Sequence, residues 1–318
     1  MTIDPNNRPG GPNLVVTCKS ADKVQFFDAA TLTLQSEIVM PGSTHEMVRA
    51  GGGDTVYASV YGGGIFGKNK DPDRRIAVID LAAKALQRTI DVGGNFAPHS
   101  LMMDRGGTLW CTAELANSVL AVAPGNDEVE RIEIGGAPHW IAISHATGKL
   151  FASFKTREAV AVLDLESRKR IDLITIPHGA EGLAVSPDGW ALYVSAHAKG
   201  VLHAFDTRTH ALHHTVRIEG APGEANQLRR VRVSPDGRYV CVSSHVDNYA
   251  AVYDALTLEQ LAGFPTPKAP MGFGFAPDGE HAYLCCHDAA VTLEFDMATG
   301  RITRQFETAP GCEFVISY

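Results

Sequence analysis

The strongest constraint on the fold is a phrase that recurs in the second half of the chain. Its copies are AVSPDGWALYVSAH at 184–197, RVSPDGRYVCVSSH at 232–245 and GFAPDGEHAYLCCH at 274–287. Each copy is followed by a short loop, an alternating apolar strand and an aspartate. Repetition at intervals of roughly 40 to 50 residues is typical of the blades of a propeller.

Looser copies of the phrase precede these three. IAISHATGKLFASFK leads to VLDL with Asp164, and MVRAGGGDTVYASVY leads to VIDL with Asp80. LMMDRGGTLWCTAEL is followed by a strand that lacks the aspartate. The PDG tripeptide predicts a turn, because proline presets φ, aspartate tolerates the bend and glycine supplies a positive φ. Alternating runs such as ALYVS predict half-buried strands, so each repeat contains four short strands.

The two ends of the chain complement each other. The N-terminal segment 12–40 contains three strands with no inner strand before them, and 312–318 is an inner strand with nothing after it. We therefore predict an all-β fold, a single seven-bladed β-propeller over 1–318, in which 312–318 completes blade 1 and closes the ring. The predicted inner strands begin near Glu46, Ser100, Trp140, Gly182, Arg230, Gly272 and Glu313.

This pattern resembles the YVTN-repeat, or YncE-like, family of seven-bladed propellers. The SPDG-x-x-L/V-Y/C-V-S phrase and the V-x-D strand end carry the resemblance, which covers nearly the whole chain. Propellers of this architecture include lactonases, streptogramin-type lyases, copper-dependent thiol oxidases and binding proteins. The resemblance implies the architecture, and the chemistry has to be argued from the site.

Composition and charge narrow the classes of partner. The chain carries 28 Lys and Arg against 36 Asp and Glu, a net charge of −8, which disfavours nucleic acid and anionic membranes. No apolar run reaches 18 residues, and MTIDPNNRPGGPN lacks the pattern of a secretory signal, so we expect a cytoplasmic protein. None of the six cysteines forms a CxxC pair, which favours reduced, buried thiols.

Histidines recur at one position of the repeat, the beginning of the inner strand. In a propeller this position surrounds the mouth of the central channel, so three imidazoles and a carboxylate are predicted to face one space. The equivalent residues are His45, His99, His139, Glu181, Arg229, Met271 and either Cys312 or Glu313.

A second alignment, at the end of the second strand of each blade, yields another set of histidines. The loop after this strand lies on the same face as the beginning of the inner strand, so both sets are predicted to border one mouth. The equivalent residues are Lys19, Tyr61, Glu114, Lys155, His197, His245 and His287.

Neutral imidazoles with a carboxylate are suitable ligands for a divalent transition metal ion such as Fe, Zn, Mn, Cu or Ni. We predict His45, His99 and His139 as metal ligands, with Glu181 as fourth ligand or as base. Proton transfer is predicted for His197, His245, His287 and Tyr61. Substrate binding is predicted for Arg229, Arg230 and Glu114. The alternative is structural: a histidine at this point of the blade can also cap a turn.

Two long insertions are predicted on the same face. The loop 62–75 is either a lid that bears Phe66, Lys68, Lys70, Arg74 and Arg75 or a solvated hairpin tip. The loop 217–230 could bring Glu224 or Asn226 to the rim. His178 could also reach the mouth. The remaining histidines are predicted to be surface residues, and they are His145, His203, His210, His213, His214 and His281.

These features predict a metal-dependent hydrolase or lyase, lactonase-like, that acts on a small anionic molecule. An iron- or copper-dependent oxidoreductase is the second hypothesis, because a site rich in imidazole also suits redox metals. A non-catalytic propeller that binds a ligand or protein on this face is the third. Such a propeller would favour an apolar and aromatic rim, whereas the predicted rim is rich in His, Glu, Arg and Lys.

Overall fold

The computed structural model describes residues 12–196, 199–221 and 227–318. In this part of the chain the strands form seven four-stranded antiparallel sheets, so the predicted all-β, seven-bladed propeller is confirmed. The helices in it are three single turns of 3₁₀ helix, Lys19–Ala21, Glu114–Ala116 and His287–Ala289. No helix among these residues is long and apolar enough to cross a membrane.

The strands follow one another in chain order from blade to blade. Blade 1 takes β1 (Asn13–Cys18), β2 (Lys23–Asp28) and β3 (Leu34–Val39), and blade 2 takes β4 (Thr44–Arg49), β5 (Thr55–Gly63), β6 (Asp71–Asp80) and β7 (Ala85–Asp91). Blade 3 contains β8 (Pro98–Met103), β9 (Leu109–Ala113), β10 (Ser118–Val122) and β11 (Val129–Glu133), and blade 4 contains β12 (Ile141–Ser144), β13 (Lys149–Phe154), β14 (Ala159–Asp164) and β15 (Lys169–Thr175).

The second half of the ring repeats this order. Blade 5 contains β16 (Leu183–Val185), β17 (Ala191–Ala196), β18 (Val201–Asp206) and β19 (Leu212–Arg217), and blade 6 contains β20 (Leu228–Val233), β21 (Tyr239–Ser244), β22 (Tyr249–Asp254) and β23 (Gln260–Pro265). Blade 7 contains β24 (Pro270–Phe275), β25 (His281–Cys286), β26 (Val291–Asp296) and β27 (Ile302–Glu307), and the last strand is β28 (Cys312–Ser317).

The ring closes as predicted, because β28 becomes the inner strand of blade 1. It pairs antiparallel with β1, with Val15 opposite Ile316 and Thr17 opposite Phe314. This pairing ends with two backbone hydrogen bonds of 2.9 Å, in which Asn13 and Tyr318 each donate to the other's carbonyl. The β28 strand also contacts β4 of blade 2 and β24 of blade 7, so the inner strands form a closed ring.

Burial is greatest in the two middle strands of most blades. The strands β9 and β10 are entirely buried, whereas outer strands such as β15 and β19 are largely exposed. The apolar core therefore lies between the faces of neighbouring blades. One predicted surface histidine is wrong for this reason: His203, on the third strand of blade 5, is only 2% exposed and contacts the Thr215 hydroxyl and the Pro177 carbonyl.

Candidate functional site

The beginnings of the inner strands and the ends of the second strands meet at one mouth of the channel, as the two alignments predicted. They enclose a cavity of about 370 Å³. The lining residues are Lys19, His45, Tyr61, Ile65, Phe66, His99, His139, Lys155, Glu181, Arg229, Arg230, His245, Met271, His287, Asp288 and Glu313. The open choice at the last blade is resolved in favour of Glu313, since Cys312 does not line this cavity.

Buried hydroxyl groups fix the backbone of the first set. Each stands on the second strand of one blade and donates to the carbonyl of the site residue in the next blade. Thr17 donates to the His45 carbonyl at 3.0 Å, and Thr112 donates to the His139 carbonyl at 2.9 Å. Ser153 donates to the Glu181 carbonyl at 2.8 Å. These bonds join adjacent blades at the level of the site, which makes it a rigid one.

The three predicted metal-ligating histidines are buried and lie side by side. The ring centroids of His45 and His99 are 4.3 Å apart, and those of His99 and His139 are also 4.3 Å apart. Burial lowers the pKa of His45 well below its usual value, and the nearby Lys19 lowers it further. Burial and then His139 have the same effect on the pKa of His99. Both rings are therefore neutral at pH 7, which is the protonation state that binds a metal ion.

The Nδ1 atom of each of these rings has a protein acceptor. That of His45 donates to Glu46 at 3.1 Å, and that of His99 donates to the carbonyl of His139 at 2.9 Å. That of His139 donates to Glu114 at 2.6 Å. Metal-ligating histidines in proteins are commonly held in this way, because the outer bond fixes the tautomer and leaves the Nε2 atom for the ion.

Glu114 lies behind the histidines. It accepts a hydrogen bond of 2.6 Å from the Tyr61 hydroxyl and another of the same length from His139. Burial, and then the adjacent Glu114, raise the pKa of Tyr61, so the phenol keeps its proton. The structure thus places Glu114, predicted to bind substrate, where it orients His139. Tyr61, predicted to transfer protons, lines the cavity as a donor to Glu114.

Glu181 is surrounded by positive or polarisable donors. Its Oε1 atom lies 2.9 Å from the Lys155 amine, 3.3 Å from Arg229 and 3.2 Å from Nε2 of His139. Burial on its own would raise the pKa of Glu181, but His139, Lys155 and Arg229 outweigh burial and hold that pKa well below its usual range. The carboxylate is therefore ionised and suited to bind a cation rather than to act as an acid.

Arg230 closes the bottom of the cavity. Its guanidinium lies 2.9 Å from Glu46 and 3.5 Å from Glu313, and it stacks on the Trp140 ring at 4.7 Å. Both neighbouring arginines, Arg229 and Arg230, line the cavity. Only Arg229 is partly exposed, so it is the more accessible one for substrate.

Two histidines of the second set, His245 and His287, line the cavity. His245 lines the cavity, its Nδ1 atom is buried without a hydrogen-bond partner in the described structure, and burial with Arg229 lowers its pKa to about 4. His287 lies 2.8 Å from Asp288 and 3.6 Å from Glu313. His197 lies outside the described residues. The predicted proton-transfer role thus has one available imidazole in the described part of the site, that of His245.

The insertion after Tyr61 reaches the cavity through one aromatic side chain. Phe66 contacts the His139 ring edge-on at a centroid distance of 5.2 Å, and the Lys155 amine lies 5.6 Å from the Phe66 ring centre. Lys68 and Lys70 are exposed and do not line the cavity. Of the other expected rim residues, His178 is exposed, and Glu224 and Asn226 lie outside the described residues.

Two overlapping groups of side chains have the separations needed to hold a metal ion. The ligand atoms of His45, Glu46 and His99 lie within 4.8 Å of one another, and so do those of His99, Glu114 and His139. Sequence reasoning missed Glu46, although it follows His45 directly. Both nitrogens of His139 face carboxylates, with Nδ1 2.6 Å from Glu114 and Nε2 3.2 Å from Glu181. Neither group contains all three predicted histidine ligands, and Glu181 is in neither.

Comparison with known proteins identifies lactonase-type propellers as relatives in fold. Residues 183–316 match the family model described as lactonase, 7-bladed beta-propeller. The putative 6-phosphogluconolactonase from Bacteroides uniformis superposes with a TM-score of 0.78 at 16% identity, over 98% of this chain and 100% of that chain. The predicted resemblance to this class of propellers is thereby confirmed.

Other similar proteins show how widely the architecture is shared. The hydrazine synthase of Kuenenia stuttgartiensis also has a TM-score of 0.78 at 16% identity, over 91% of this chain and 94% of that chain. The antigen Lp49 of Leptospira interrogans is 25% identical over 273 residues, which is 77% of this chain and 55% of that protein. The chain thus spans about half the length of this curated relative. Likeness at these identities shows the fold, and the chemistry rests on the site.

Proposed function

We propose that this chain is a metal-dependent hydrolase that opens a small anionic lactone, or a closely related ester, at the mouth of the channel. The observation that carries the proposal is the group of three buried imidazoles, each held through Nδ1 by a protein acceptor, beside a cavity with cationic walls. The match of residues 183–316 to a lactonase family model supports the choice of ester chemistry.

His99 would hold the ion together with either His45 and Glu46 or His139 and Glu114. The bound ion would polarise the carbonyl oxygen and make a nearby water more acidic. In the overall reaction, water adds to the carbonyl carbon and the ring C–O bond breaks. The product is a hydroxy acid, whose new carboxyl group ionises and releases one proton to solvent.

His245 is the residue we assign to proton transfer. Its ring is neutral at pH 7, the residue lines the cavity, and its buried Nδ1 atom has no hydrogen-bond partner among the described residues. It can accept a proton from the attacking water and return it to the leaving alkoxide. Glu181 is less suited to this role because His139, Lys155 and Arg229 lower its pKa and so make it a weak base.

Arg229 and Lys155 are the residues we assign to the anionic group of the substrate. Both line the cavity, and the Nε atom of Arg229 is buried without a hydrogen-bond partner in the described structure. Burial lowers the pKa of Lys155, although Glu181 opposes the change. A carboxylate or phosphate would give the free guanidinium donor an acceptor and would balance the positive charge in this wall.

The first experiment combines metal analysis with hydrolysis assays on protein purified without an affinity tag. The substrates are 6-phosphogluconolactone and gluconolactone, which differ in one phosphate group. We expect about one divalent ion per chain and hydrolysis above the spontaneous rate. The double variant His99→Ala/His139→Ala should lose the ion and at least about 100-fold in rate.

The matched control is His213→Ala/His214→Ala, which also removes two neighbouring histidines, but from the exposed strand β19. It should keep both the ion and the rate. Unchanged metal content in the His99→Ala/His139→Ala variant would overturn the metal site. Stoichiometric iron or copper without hydrolysis would instead support oxidoreductase chemistry, and tight ligand binding without turnover would support a binding protein.

Arg229→Met tests the anion assignment. We expect KM to rise about tenfold or more for the phosphorylated lactone, because a charge-assisted hydrogen bond is lost, and to change little for gluconolactone. An equal rise for both lactones would mean that Arg229 acts through Glu181 rather than on the anionic group.

A further inference from the structure

We propose a second ligand site at the opposite end of the channel, where the protein binds a small amphipathic anion such as a short-chain aliphatic carboxylate. A cavity of about 320 Å³ lies there between the inner strands. Its walls come from the later residues of these strands, whereas the catalytic cavity is lined by their first residues. This site is independent of the proposed hydrolase activity.

The two cavities are separated by a layer of paired side chains. Arg230 lines the upper cavity, and its partners Glu46 and Trp140 line the lower one. The guanidinium is held by the Glu46 and Glu313 carboxylates and by the Trp140 ring, so this layer is fixed on both sides. A ligand of the lower cavity therefore enters from the other mouth of the channel.

The walls of the lower cavity are mainly aliphatic. A hydrocarbon chain in contact with them would leave water, which contributes about 25 cal/mol for each Å² of apolar surface that is buried. The apolar residues that line it include Met47, Val48, Leu101, Met102, Leu183 and Val233.

The guanidinium of Arg232 in these walls is available to bind a ligand. Arg232 lies over the Phe314 ring at 5.0 Å, and none of the hydrogen bonds or ion pairs found in the described structure involves its side chain. The acid that lines this cavity, Glu46, is held by Arg230 at 2.9 Å through one oxygen, and its other oxygen has no hydrogen-bond partner in the described structure. A carboxylate ligand would give Arg232 a bidentate partner.

A second donor of this cavity also lacks a hydrogen-bond partner among the described residues. The indole N–H of Trp140 is buried and has no hydrogen-bond partner in the described part of the chain, although a buried donor normally finds one. Trp140 lines the lower cavity, as Arg232 does. The two donors and the aliphatic walls together favour an amphipathic anion as the ligand, rather than a cation or a neutral hydrocarbon.

Titration calorimetry with hexanoate tests this site. We expect wild-type protein to bind one hexanoate with a Kd of about 1 mM, the order that a ligand of this size reaches. Arg232→Met should weaken binding at least tenfold, while Arg232→Lys, which keeps the charge, should retain part of the affinity. Arg229→Met, at the other mouth, should bind hexanoate as the wild type does.

Three results would overturn the proposal. Absence of hexanoate binding to wild-type protein would exclude the site. Equal binding of hexan-1-ol and hexylamine would show an apolar cavity without anion recognition. Loss of binding in Arg229→Met rather than Arg232→Met would assign hexanoate to the catalytic cavity. Far-ultraviolet circular dichroism and the Tm of each variant confirm that the propeller is intact.

Discussion

Glu114 shows how much a single carboxylate can organise in this site. It is buried at the end of β9, on blade 3, yet its two donors come from blades 2 and 4. Because one oxygen accepts from Tyr61 and the other from His139, both oxygens are used and the imidazole is held in one orientation. The residue positions a histidine without lining the cavity itself.

Replacing Glu114 by Gln should weaken metal binding by about 10- to 100-fold and reduce the hydrolysis rate by a similar factor. The amide has only one acceptor oxygen, so either Tyr61 or His139 faces an N–H group instead. Metal titration monitored by calorimetry measures the first effect. Tyr61→Phe, which leaves Glu114 free to hold His139, is the control and should show a much smaller loss. Equal metal affinity in the Gln variant and the wild type would contradict this role.

At the scale of the element, the repeat aspartate is a cap for the outer hairpin of the blade. Asp254 at the end of β22 accepts hydrogen bonds from the backbone of Leu256 and Thr257 and from the Thr257 hydroxyl. Asp206 and Asp296 make equivalent bonds in blades 5 and 7. This explains why V-x-D recurs: the carboxylate stabilises the turn that begins the outermost strand.

Asp254→Ala should lower the free energy of unfolding by about 1 kcal/mol at pH 7, because the hydrogen bonds of the turn are lost. The backbone N–H of Thr257 and weaker contacts hold the pKa of Asp254 below its usual value of 3.8. The stabilisation is therefore present above pH 3.8 and is lost as the pH falls through the lower folded-state value. Urea unfolding at pH 7 and pH 3.5 should show the difference between wild type and variant shrinking in acid.

Glu259→Ala is the control for this measurement. Glu259 is an exposed carboxylate on the same hairpin, and its backbone carbonyl, not its side chain, accepts from Asp254. Its removal should change stability by less than about 0.5 kcal/mol. An Asp254→Ala variant no less stable than Glu259→Ala would show that the cap contributes nothing.

For the whole molecule, the closure of the ring by β28 is the critical contact. This strand brings Phe314 and Val315 into the core and covers the edge of β1. Both side chains are nearly fully buried, so each contributes roughly 2 kcal/mol by leaving water. Without the strand, blade 1 would expose an unpaired edge and the ring would open between blades 1 and 7.

Deleting residues 312–318 should therefore abolish cooperative unfolding, as followed by circular dichroism during thermal denaturation, and should favour aggregation. The matched control moves these seven residues to the front of Pro12 through a short linker. Because Asn13 and Tyr318 are hydrogen-bonded neighbours, this permuted chain can form the same sheet and should unfold cooperatively. A deleted chain as stable as the permuted one would show that closure is dispensable.

Much of this architecture could be predicted, because its determinants are local and repeat. Alternating apolar residues specify strands, and PDG specifies a turn in three of the repeats. The six copies of the phrase and the two complementary chain ends together imply seven blades. The repeat also predicted the ring of site residues, since equivalent positions in the blades meet around one channel. His45, His99, His139 and Glu181 line one cavity for that reason.

The repeat did not reveal the contacts between non-equivalent positions. Phe66 reaches His139 from a loop of another blade, and Glu46 is a buried member of the histidine cluster. His203 lies on a strand that alternates like a surface strand, but the neighbouring connection covers it and its carbonyl contacts the ring. Such contacts depend on loop paths and rotamers, which no period in the sequence encodes.

The sequence by itself determined the number of blades, the closure of the ring and the set of side chains at the mouth, because short-range patterning and repetition are enough for these. The tertiary structure decided which Nδ1 atoms are engaged, which carboxylate holds His139 and which arginine of the pair remains accessible. Several of these choices depend on distances of about 3 Å between residues far apart in the chain, such as His139 and Glu114, and on burial that lowers the pKa of rings such as His99. Only the packing of neighbouring blades sets those distances.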